Sequence, residues 1–218
     1  MSMLNERALM GGHARLPKEY QEVEWIGFYT DPNYNSQGNR INTQIRTTDN
    51  VQIVVDFGTE SPDFNTLESW LFGLESTSTP DQRFGFGICS GKAHYGSING
   101  EITTDISLFD GRHTVIYNDI NGMTFLDDEQ ISTTDNPADT SYNNLIYIGR
   151  RGRNNRNYGG VIYECKIIDN ATGEILRHYI PCYVKATNIP TFYDIANNSE
   201  AIIINTSVNS WLVAGPKV

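Results

Sequence analysis

Hydrophobic and polar residues alternate along most of the chain after residue 16. In the stretch VQIVVDF the alternation puts Val51, Ile53, Val55 and Phe57 on one face, which predicts a strand with one side in a core. Two further stretches alternate in the same way, SWLFGLE with Trp70, Phe72 and Leu74 and RFGFGICS with Phe84, Phe86 and Ile88. We therefore expect each of these triplets to share one core-facing side of a strand.

The pattern continues to the end of the chain and predicts a protein without long helices. Residues 16–26 (LPKEYQEVEWI) read as the first strand, and the segments between the later strands are rich in Asn, Asp and Gly. Further strands are predicted at residues 41–47, 92–98, 101–107, 113–118, 123–127, 144–150, 160–168, 174–183, 190–195, 201–205 and 210–214. Many short strands separated by turn residues favour an all-β fold, a two-sheet antiparallel β-sandwich of jelly-roll type.

The first sixteen residues differ from the rest and predict a separate N-terminal arm, with the sandwich at residues 17–218. Residues 3–10 could form two turns of helix, ended by Gly11 and Gly12, but a helix this short is marginal in water without a surface to lie on. We expect the arm to anchor the protein to a partner, and the alternative is that it folds back on its own domain. The apolar residues that would bind the partner are Met3, Leu4, Leu9 and Met10.

The charge of the chain argues against nucleic acid as a partner. The formal net charge is −10, whereas binding to phosphate normally requires a basic face. The apolar runs are too short to span a bilayer and no secretory signal is visible, so we expect neither membrane insertion nor export by the chain itself.

Three cysteines form an odd set without metal-binding spacing, which predicts three buried, reduced thiols. If the stretch DNATGE joins two strands of a hairpin, Cys165 should lie opposite about Arg177 and not opposite Cys182. A disulfide between Cys165 and Cys182 is therefore not expected, and the third thiol, Cys89, lies far from both in sequence.

Four stretches together resemble a known family. They are LPKEYQEVEWI, GRHTVIYNDINGMTFLDDEQIS, NLIYIGRRGRNNRNYGGVIYECKIIDNATGEILRHYIPCYV and TFYDIANNSEAIIINTSVNSWLVAGPKV. In this order they resemble the concanavalin A-like, laminin-G-type jelly rolls of phage virion proteins and of gut-bacterial surface proteins, over residues 16–218. The last stretch, with Phe192, Tyr193 and Asp194 and then Ala214, Gly215 and Pro216, is the most specific. The resemblance implies a fold and a binding or structural role, not a catalytic set.

The acidic run Asp127, Asp128 and Glu129 is the best candidate for catalytic carboxylates, because retaining glycosidases place two acids close together. The run stands between MTF and QIS, where the resemblance to laminin-G-type domains implies a hairpin with a tight acidic turn, so we expect turn acids, with an acid/base pair or a loose cation site as alternatives. The four histidines are scattered and match no catalytic motif. The sequence therefore predicts no enzyme and no cofactor.

A polar loop after the first strand is the candidate site for a glycan, because an aromatic face beside planar hydrogen-bonding groups suits a sugar ring. The alternative is an ordinary loop whose Asp and Asn bond their own backbone. Calcium is a weaker candidate, because one Asp and some amides supply too few ligands. The residues of the candidate site are Tyr29, Asp31, Asn33, Tyr34, Asn35 and Arg40.

The stretch RRGRNNR concentrates positive charge in an acidic chain through Arg150, Arg151, Arg153 and Arg156. One interpretation is a solvated hairpin loop. The other is a contact with an acidic partner, where guanidinium groups bind carboxylates bidentately. Because each copy carries an acidic body and this basic loop, we expect a homo-oligomer, with a trimer as one form.

Two functions are compatible with these observations. The first is a non-enzymatic phage virion structural protein, a capsid decoration or head-fibre module assembled in the host cytoplasm. Its arm would bind other virion proteins, and its jelly roll would stabilise the particle or contact host glycans. The alternative is a secreted bacterial glycan-binding module or adhesin, which should carry an export signal.

Overall fold

The structure is a computed structural model. It describes residues 16–30, 39–59, 69–74, 84–97, 100–108, 111–118, 123–132, 143–151, 156–204 and 210–218. The described residues contain strands, turns and bridges and no helix. The predicted absence of long helices after residue 20 is confirmed for this part of the chain.

Twenty strands follow one another along these ranges. The first ten are β1 (Tyr20–Glu22), β2 (Ile26–Thr30), β3 (Arg40–Arg46), β4 (Val51–Gly58), β5 (Ser69–Leu74), β6 (Gly85–Cys89), β7 (Lys92–Ser97), β8 (Gly100–Ser107), β9 (Arg112–Asn118) and β10 (Met123–Leu126). The others are β11 (Glu129–Gln130), β12 (Leu145–Ile148), β13 (Arg150–Arg151), β14 (Arg156–Asn157), β15 (Val161–Asp169), β16 (Ile175–Val184), β17 (Ile189–Asp194), β18 (Ser199–Glu200), β19 (Ile202–Ile204) and β20 (Ser210–Ala214).

The strands form two antiparallel sheets packed face to face. The larger sheet has the order β11-β10-β9-β4-β15-β16-β17-β18, with β1 added to β16 and β2 and β20 added beside β15. The smaller sheet has the order β19-β3-β12-β5-β6-β7-β8, and β13 and β14 form a separate two-stranded ribbon. The prediction of an all-β, two-sheet antiparallel sandwich is confirmed.

Side chains from the two inner faces form one large apolar core. The predicted face of β4 is confirmed, because Val51, Ile53, Val55 and Phe57 are all fully buried in this core. Aromatic rings join the sheets, and Phe57 of the larger sheet meets Phe86 of the smaller one edge to face, with ring centroids 5.9 Å apart.

The predicted alternation fails at Trp70. The pairing of β5 with β6 shifts register between Trp70 and Phe72, so the two side chains do not share a face. Trp70 pairs with Gly87, which in turn pairs with His94, and the Trp70 and His94 rings meet edge to face at 5.0 Å. Trp70 is therefore buried outside the main core cluster, and Leu71 takes the predicted place inside it.

The predicted first strand, residues 16–26, is two strands. Tyr20 begins β1 after a turn in which its N–H bonds the Pro17 carbonyl at 3.0 Å, and β1 pairs with the end of β16. The chain then continues as β2, which pairs with β15 and with β20. Leu16 is buried in a small second cluster with Ile180, so contact with the sandwich begins one residue before the predicted domain boundary.

The hairpin formed by β15 and β16 is present, but its register differs from the predicted one. Cys165 pairs with Tyr179, two residues beyond Arg177, and not with Cys182, and part of this offset comes from an extra residue of β16 opposite Ile167 and Ile168. All three cysteines are free, as expected. Cys165 and Cys182 are buried, and burial raises the pKa of the Cys182 thiol to about 12. Cys89 is half-exposed, so the prediction of three buried thiols is wrong there.

Candidate functional site

A polar cleft opens between the two sheets along the edge where β19 of the smaller sheet lies beside β17 and β18 of the larger one. The chain crosses between the sheets at Ala201, whose N–H donates to the Phe192 carbonyl at 2.8 Å. The cleft has a volume of about 120 Å³. Its polar wall consists of Asn42, Gln44, Arg177, Asp194, Asn197, Ser199 and Glu200, with Ile202 as an aliphatic wall.

A bulge in β3 forms the first side of the cleft. Asn42 pairs with Tyr147 and Arg46 pairs with Leu145, so three residues of β3 stand opposite Ile146 alone. The Thr43 hydroxyl fills the gap by donating to the Ile146 carbonyl at 2.7 Å. Gln44 consequently has a φ of 60°, and its side chain lies exposed at the cleft.

A second bulge, in β16, forms the floor. Leu176 is the extra residue of this strand, and its carbonyl lies outside the ladder between β15 and β16. That carbonyl accepts two hydrogen bonds, from Arg177 Nη1 at 2.7 Å and from Asn197 Nδ2 at 2.8 Å. The bulge thereby fixes two of the polar side chains that line the cleft.

The buried carboxylate of Asp194 organises the third side, the turn between β17 and β18. Its Oδ1 accepts from the backbone N–H of His178 at 2.9 Å and of Ala196 at 3.2 Å. Its Oδ2 accepts from Asn197 Nδ2 at 2.7 Å and lies 3.7 Å from Arg177 Nε. A buried carboxylate needs such partners, because an unpaired one would be strongly destabilising.

Arg177 connects the two sheets across the cleft. Its Nε donates to the Thr43 carbonyl at 2.8 Å, and its side chain is only 18% exposed. One guanidinium group therefore joins the β3 bulge, the β16 bulge and the Asp194 turn. These contacts hold the polar groups of the cleft in place without any ligand.

Glu200 forms the outer rim and connects it to β1. Its two carboxylate oxygens accept from the hydroxyls of Thr191 and Tyr20, each at 3.1 Å. Burial, together with the hydrogen bond to Glu200, raises the pKa of Tyr20 to about 12. The rim is thus tied to the first strand after the N-terminal arm.

A second polar cluster lies on the outer face of the larger sheet, where Asp56 and Glu164 pair across β4 and β15. Arg112 holds Asp56 bidentately, with Nε to Oδ1 at 2.7 Å, and stacks 4.0 Å over the Tyr163 ring. Glu164 accepts a hydrogen bond from His178. Both carboxylates are buried and occupied by cationic or hydrogen-bonding partners.

The acidic run at residues 127–129 forms a tight turn, as predicted. Asp127 and Asp128 have φ values of 50° and 70° between β10 and β11, which is typical of a two-residue hairpin turn. Asp127 Oδ1 accepts from the Thr114 N–H at 2.8 Å, and Oδ2 lies 2.6 Å from His113 Nδ1. The sequence did not indicate the pairing with His113, since fourteen residues separate the two.

The structure describes only part of the predicted glycan site. Tyr29 lies half-buried at the end of β2. Arg40 is buried at the start of β3, with its guanidinium carbon 4.9 Å above the centre of the Tyr147 ring. Asp31, Asn33, Tyr34 and Asn35 lie outside the described residues.

Most of the predicted partner contacts also lie beyond the described ranges. Met3, Leu4, Leu9, Met10 and Arg153 are outside them. The backbone of Arg150 and Arg151 pairs with residues 156–157, and Arg156 faces Arg151, so the basic stretch does form a hairpin.

Comparison with protein-family models and with curated proteins gave no match for this chain. Within the described ranges, His, Cys, Asp and Glu side chains do not gather in groups of three able to hold a metal ion. In the part of the chain that the structure describes, there is also no long apolar helix that could cross a bilayer.

The sequence does not predict the cleft. Its residues come from β3, β16, the turn after β17 and β19, and no local motif joins these segments. The one usable signal was the stretch TFYDIANNSEAIIIN, which supplies Asp194, Asn197, Ser199 and Glu200 and carries the most specific part of the family resemblance.

Proposed function

We propose that the protein is a non-enzymatic structural component of a phage virion, a capsid decoration or head-fibre module. Residues 1–16 anchor it to other virion proteins. The sandwich faces outward, where it stabilises the particle and contacts glycans of the host. Assembly takes place in the host cytoplasm, and copies of the chain associate with one another.

One observation supports this proposal: the last of the four stretches that resemble the virion jelly rolls supplies one wall of the polar cleft. Asp194, Asn197, Ser199 and Glu200 all belong to that stretch and line one wall. The opposite wall belongs to β3 of the other sheet. A motif that only completed the core would have no need to collect amide, hydroxyl and carboxylate groups at one accessible edge.

The rigidity of the cleft supports a binding role. Asp194 and Arg177 together hold both of its walls through hydrogen bonds of 2.7 to 3.2 Å. Polar groups that are ordered before a ligand arrives lose little conformational entropy when it binds. Such a site suits recognition by several weak hydrogen bonds.

The contacts of the two buried carboxylates, Asp56 and Glu164, support the proposal that the protein is not an enzyme. A retaining glycosidase needs one ionised nucleophile and one protonated acid beside the substrate. Asp56 is held bidentately by Arg112, and Glu164 is bonded to His178. Each carboxylate is buried and bonded to a neighbouring side chain instead of standing beside a place for a substrate.

The position of β1 supports an anchoring arm. Leu16 and Tyr20 pack on the outer face of the larger sheet, and the bridge between Val23 and Lys217 places the residues after β1 beside the C-terminal end. The arm that precedes Leu16 is therefore joined to the sandwich through a short strand of its own. A force applied to the arm would act on the hydrogen bonds between β1 and β16 before it acted on the core.

Mass spectrometry of purified particles from the source tests the proposal directly. The chain should be present at a copy number fixed relative to the major capsid protein. Its absence from particles would contradict the proposal, and its recovery from bacterial surfaces would favour the glycan-binding module or adhesin.

Co-sedimentation with particles that lack the protein tests the arm. Deletion of residues 1–15 should abolish attachment and leave the melting temperature unchanged, because the described core begins at Leu16. Replacement of Arg150, Arg151, Arg153 and Arg156 by Ser should instead weaken association more at low salt than at high salt. Normal attachment of the deleted form would refute the anchor.

A further inference from the structure

We infer that the cleft between β3, β16 and the turn after β17 binds a single neutral, hydroxyl-rich ring, the terminal sugar residue of a glycan. The inference deepens the proposed contact with host glycans and rests on it. It assigns that contact to Gln44, Asn197, Ser199 and Ile202 instead of to the loop after Thr30.

Two polar side chains at the cleft are available for a ligand. Gln44 and Ser199 are both exposed, and among the described residues no hydrogen bond occupies the Gln44 side-chain amide or the Ser199 hydroxyl. The backbone of Gln44 is also left-handed, with a φ of 60°, a conformation that residues other than glycine rarely adopt. Such a conformation is kept only where the surroundings impose it, and it is frequent at binding sites.

The size of the cleft limits the ligand to one ring. Its volume of about 120 Å³ is well below the roughly 300–1,000 Å³ of pockets that enclose drug-sized molecules. The cleft is open on the side of Ser199 and Ile202, which are exposed. The remainder of a longer glycan would therefore extend into solvent and add few contacts.

The charges of the cleft favour a neutral ligand. Two carboxylates, Asp194 and Glu200, face one guanidinium, Arg177, which already donates from Nε and Nη1 to backbone carbonyls. An anionic group would meet net negative charge. A calcium ion would need about six to eight oxygen ligands, which two carboxylates already engaged in hydrogen bonds do not supply.

The mixture of groups suits the two-sided chemistry of a pyranose. Amides and a hydroxyl can both donate to and accept from sugar hydroxyls, and Ile202, which is 46% exposed, presents an aliphatic surface to ring C–H groups. Tyr179 also lines the cleft, but it is only 2% exposed and offers no ring face for stacking, so the affinity of one copy should be low. Several copies on one particle would raise the avidity by multivalency.

Titration of the full-length chain followed by amide NMR tests the inference. The probes are glucose, galactose, mannose and N-acetylglucosamine, with glucuronic acid as the anionic comparison. At least one neutral sugar should shift the amide signals of Gln44, Asn197 and Ser199 in a saturable way, and glucuronic acid should bind more weakly.

The double variant Gln44→Ala with Ser199→Ala should weaken that binding by about three- to tenfold per lost hydrogen bond. Both residues are exposed, so its melting temperature should stay near that of the wild type. Glu129→Gln, on the exposed β11 at the far edge of the larger sheet, is the matched control and should bind like the wild type.

Three results would overturn the inference: no saturable shift with any neutral sugar, tighter binding of glucuronic acid, or unchanged affinity in the double variant. If the double variant melted early, Ser199→Ala alone would give the affinity comparison. These outcomes are separate from the proposed virion function. If the chain is found in particles but its cleft binds no sugar, only this inference is contradicted, and the proposed virion function is not affected.

Discussion

Two turns at opposite edges of the larger sheet are each built around one aspartate, and they differ in burial. Asp127, between β10 and β11, accepts from the Thr114 N–H and lies beside His113, with 49% of its side chain exposed. Asp194, between β17 and β18, accepts from two backbone N–H groups and from Asn197, with 5% of its side chain exposed.

The difference shows that the surroundings of a turn decide its energetic weight. Water can replace the partners of Asp127, so its hydrogen bonds contribute little net free energy. The bond from the His178 N–H to Asp194 is buried, and this N–H would be left unsatisfied without the carboxylate. The buried turn can therefore build a cleft, whereas the exposed turn only closes a hairpin.

The largest effect is expected from Asp194→Ala. The free energy of unfolding should fall by about 3–5 kcal/mol, because the change removes a buried acceptor and leaves Arg177 near an empty site. Urea denaturation followed by tryptophan fluorescence measures it. Asp194→Asn, which keeps one acceptor oxygen, should lose less. A loss below about 1 kcal/mol for the alanine variant would equate the two turns and contradict the comparison.

Arg177→Met should have the next largest effect. Methionine keeps most of the aliphatic length of arginine but removes the hydrogen bonds to the carbonyls of Thr43 and Leu176. We expect a loss of about 1.5–3 kcal/mol in the free energy of unfolding. Hydrogen exchange should also become faster at the β3 bulge around Gln44, and an unchanged exchange rate there would show that the bulge does not depend on Arg177.

Asp127→Ala should cost about 1 kcal/mol or less, because the Thr114 N–H can bond water instead. The same urea denaturation experiment measures it, with Asp194→Ala as the reference. A loss as large as that of Asp194→Ala would show that exposure does not separate the two turns.

Asp128→Gly should stabilise the protein slightly, by about 0.5 kcal/mol, because glycine tolerates the φ of 70° without a steric cost. The matched change in the other turn is Asn198→Gly, at a φ of 50°. That change also removes the acceptor of the Tyr193 hydroxyl, at 2.8 Å, so it should give no gain. Thermal melting of both variants measures the contrast, and equal gains would contradict it.

The last prediction concerns pH at the cleft edge. Folding raises the pKa of Tyr20 from about 10 to about 12, so the folded state holds this proton more tightly than the unfolded state. The contribution to stability is full below pH 10 and is lost as the pH rises from 10 to 12. Absorbance titration of tyrosinate should lose one late-titrating group in Tyr20→Phe. If that variant kept the full late titration, the hydrogen bond to Glu200 would not hold the proton.

Much of the fold could be predicted from the sequence, because the side chains of a strand alternate between its two faces. The buried face of β4 followed from local pattern alone, and the hairpin turn at Asp127 and Asp128 was expected from the resemblance to laminin-G-type domains. Trp70 was assigned to the wrong face because a register shift in β5 interrupts the alternation. The hairpin register at Cys165 was wrong for the same reason, since a bulge is set by pairing with a neighbouring strand.

The site was less predictable than the fold. Polar richness in one loop predicted a glycan site that included Arg40, which the structure buries against Tyr147, and the site stays a prediction because residues 31–38 lie outside the described ranges. The role of Gln44 could not be predicted, because nothing in the sequence RINTQIR indicates a left-handed residue inside a strand. Exposure and hydrogen-bond commitment depend on distant segments, and composition does not report them.

The sequence by itself determined the class of the protein: the period of its apolar residues requires strands, and its turn residues require short connections between them. Only the tertiary structure decided that Arg177 would join two sheets and that Gln44 and Ser199 would line the same cleft. The physical reason is that strand pairing, register and bulges are set by contacts between residues far apart in the chain, here by as many as 134 positions between Thr43 and Arg177.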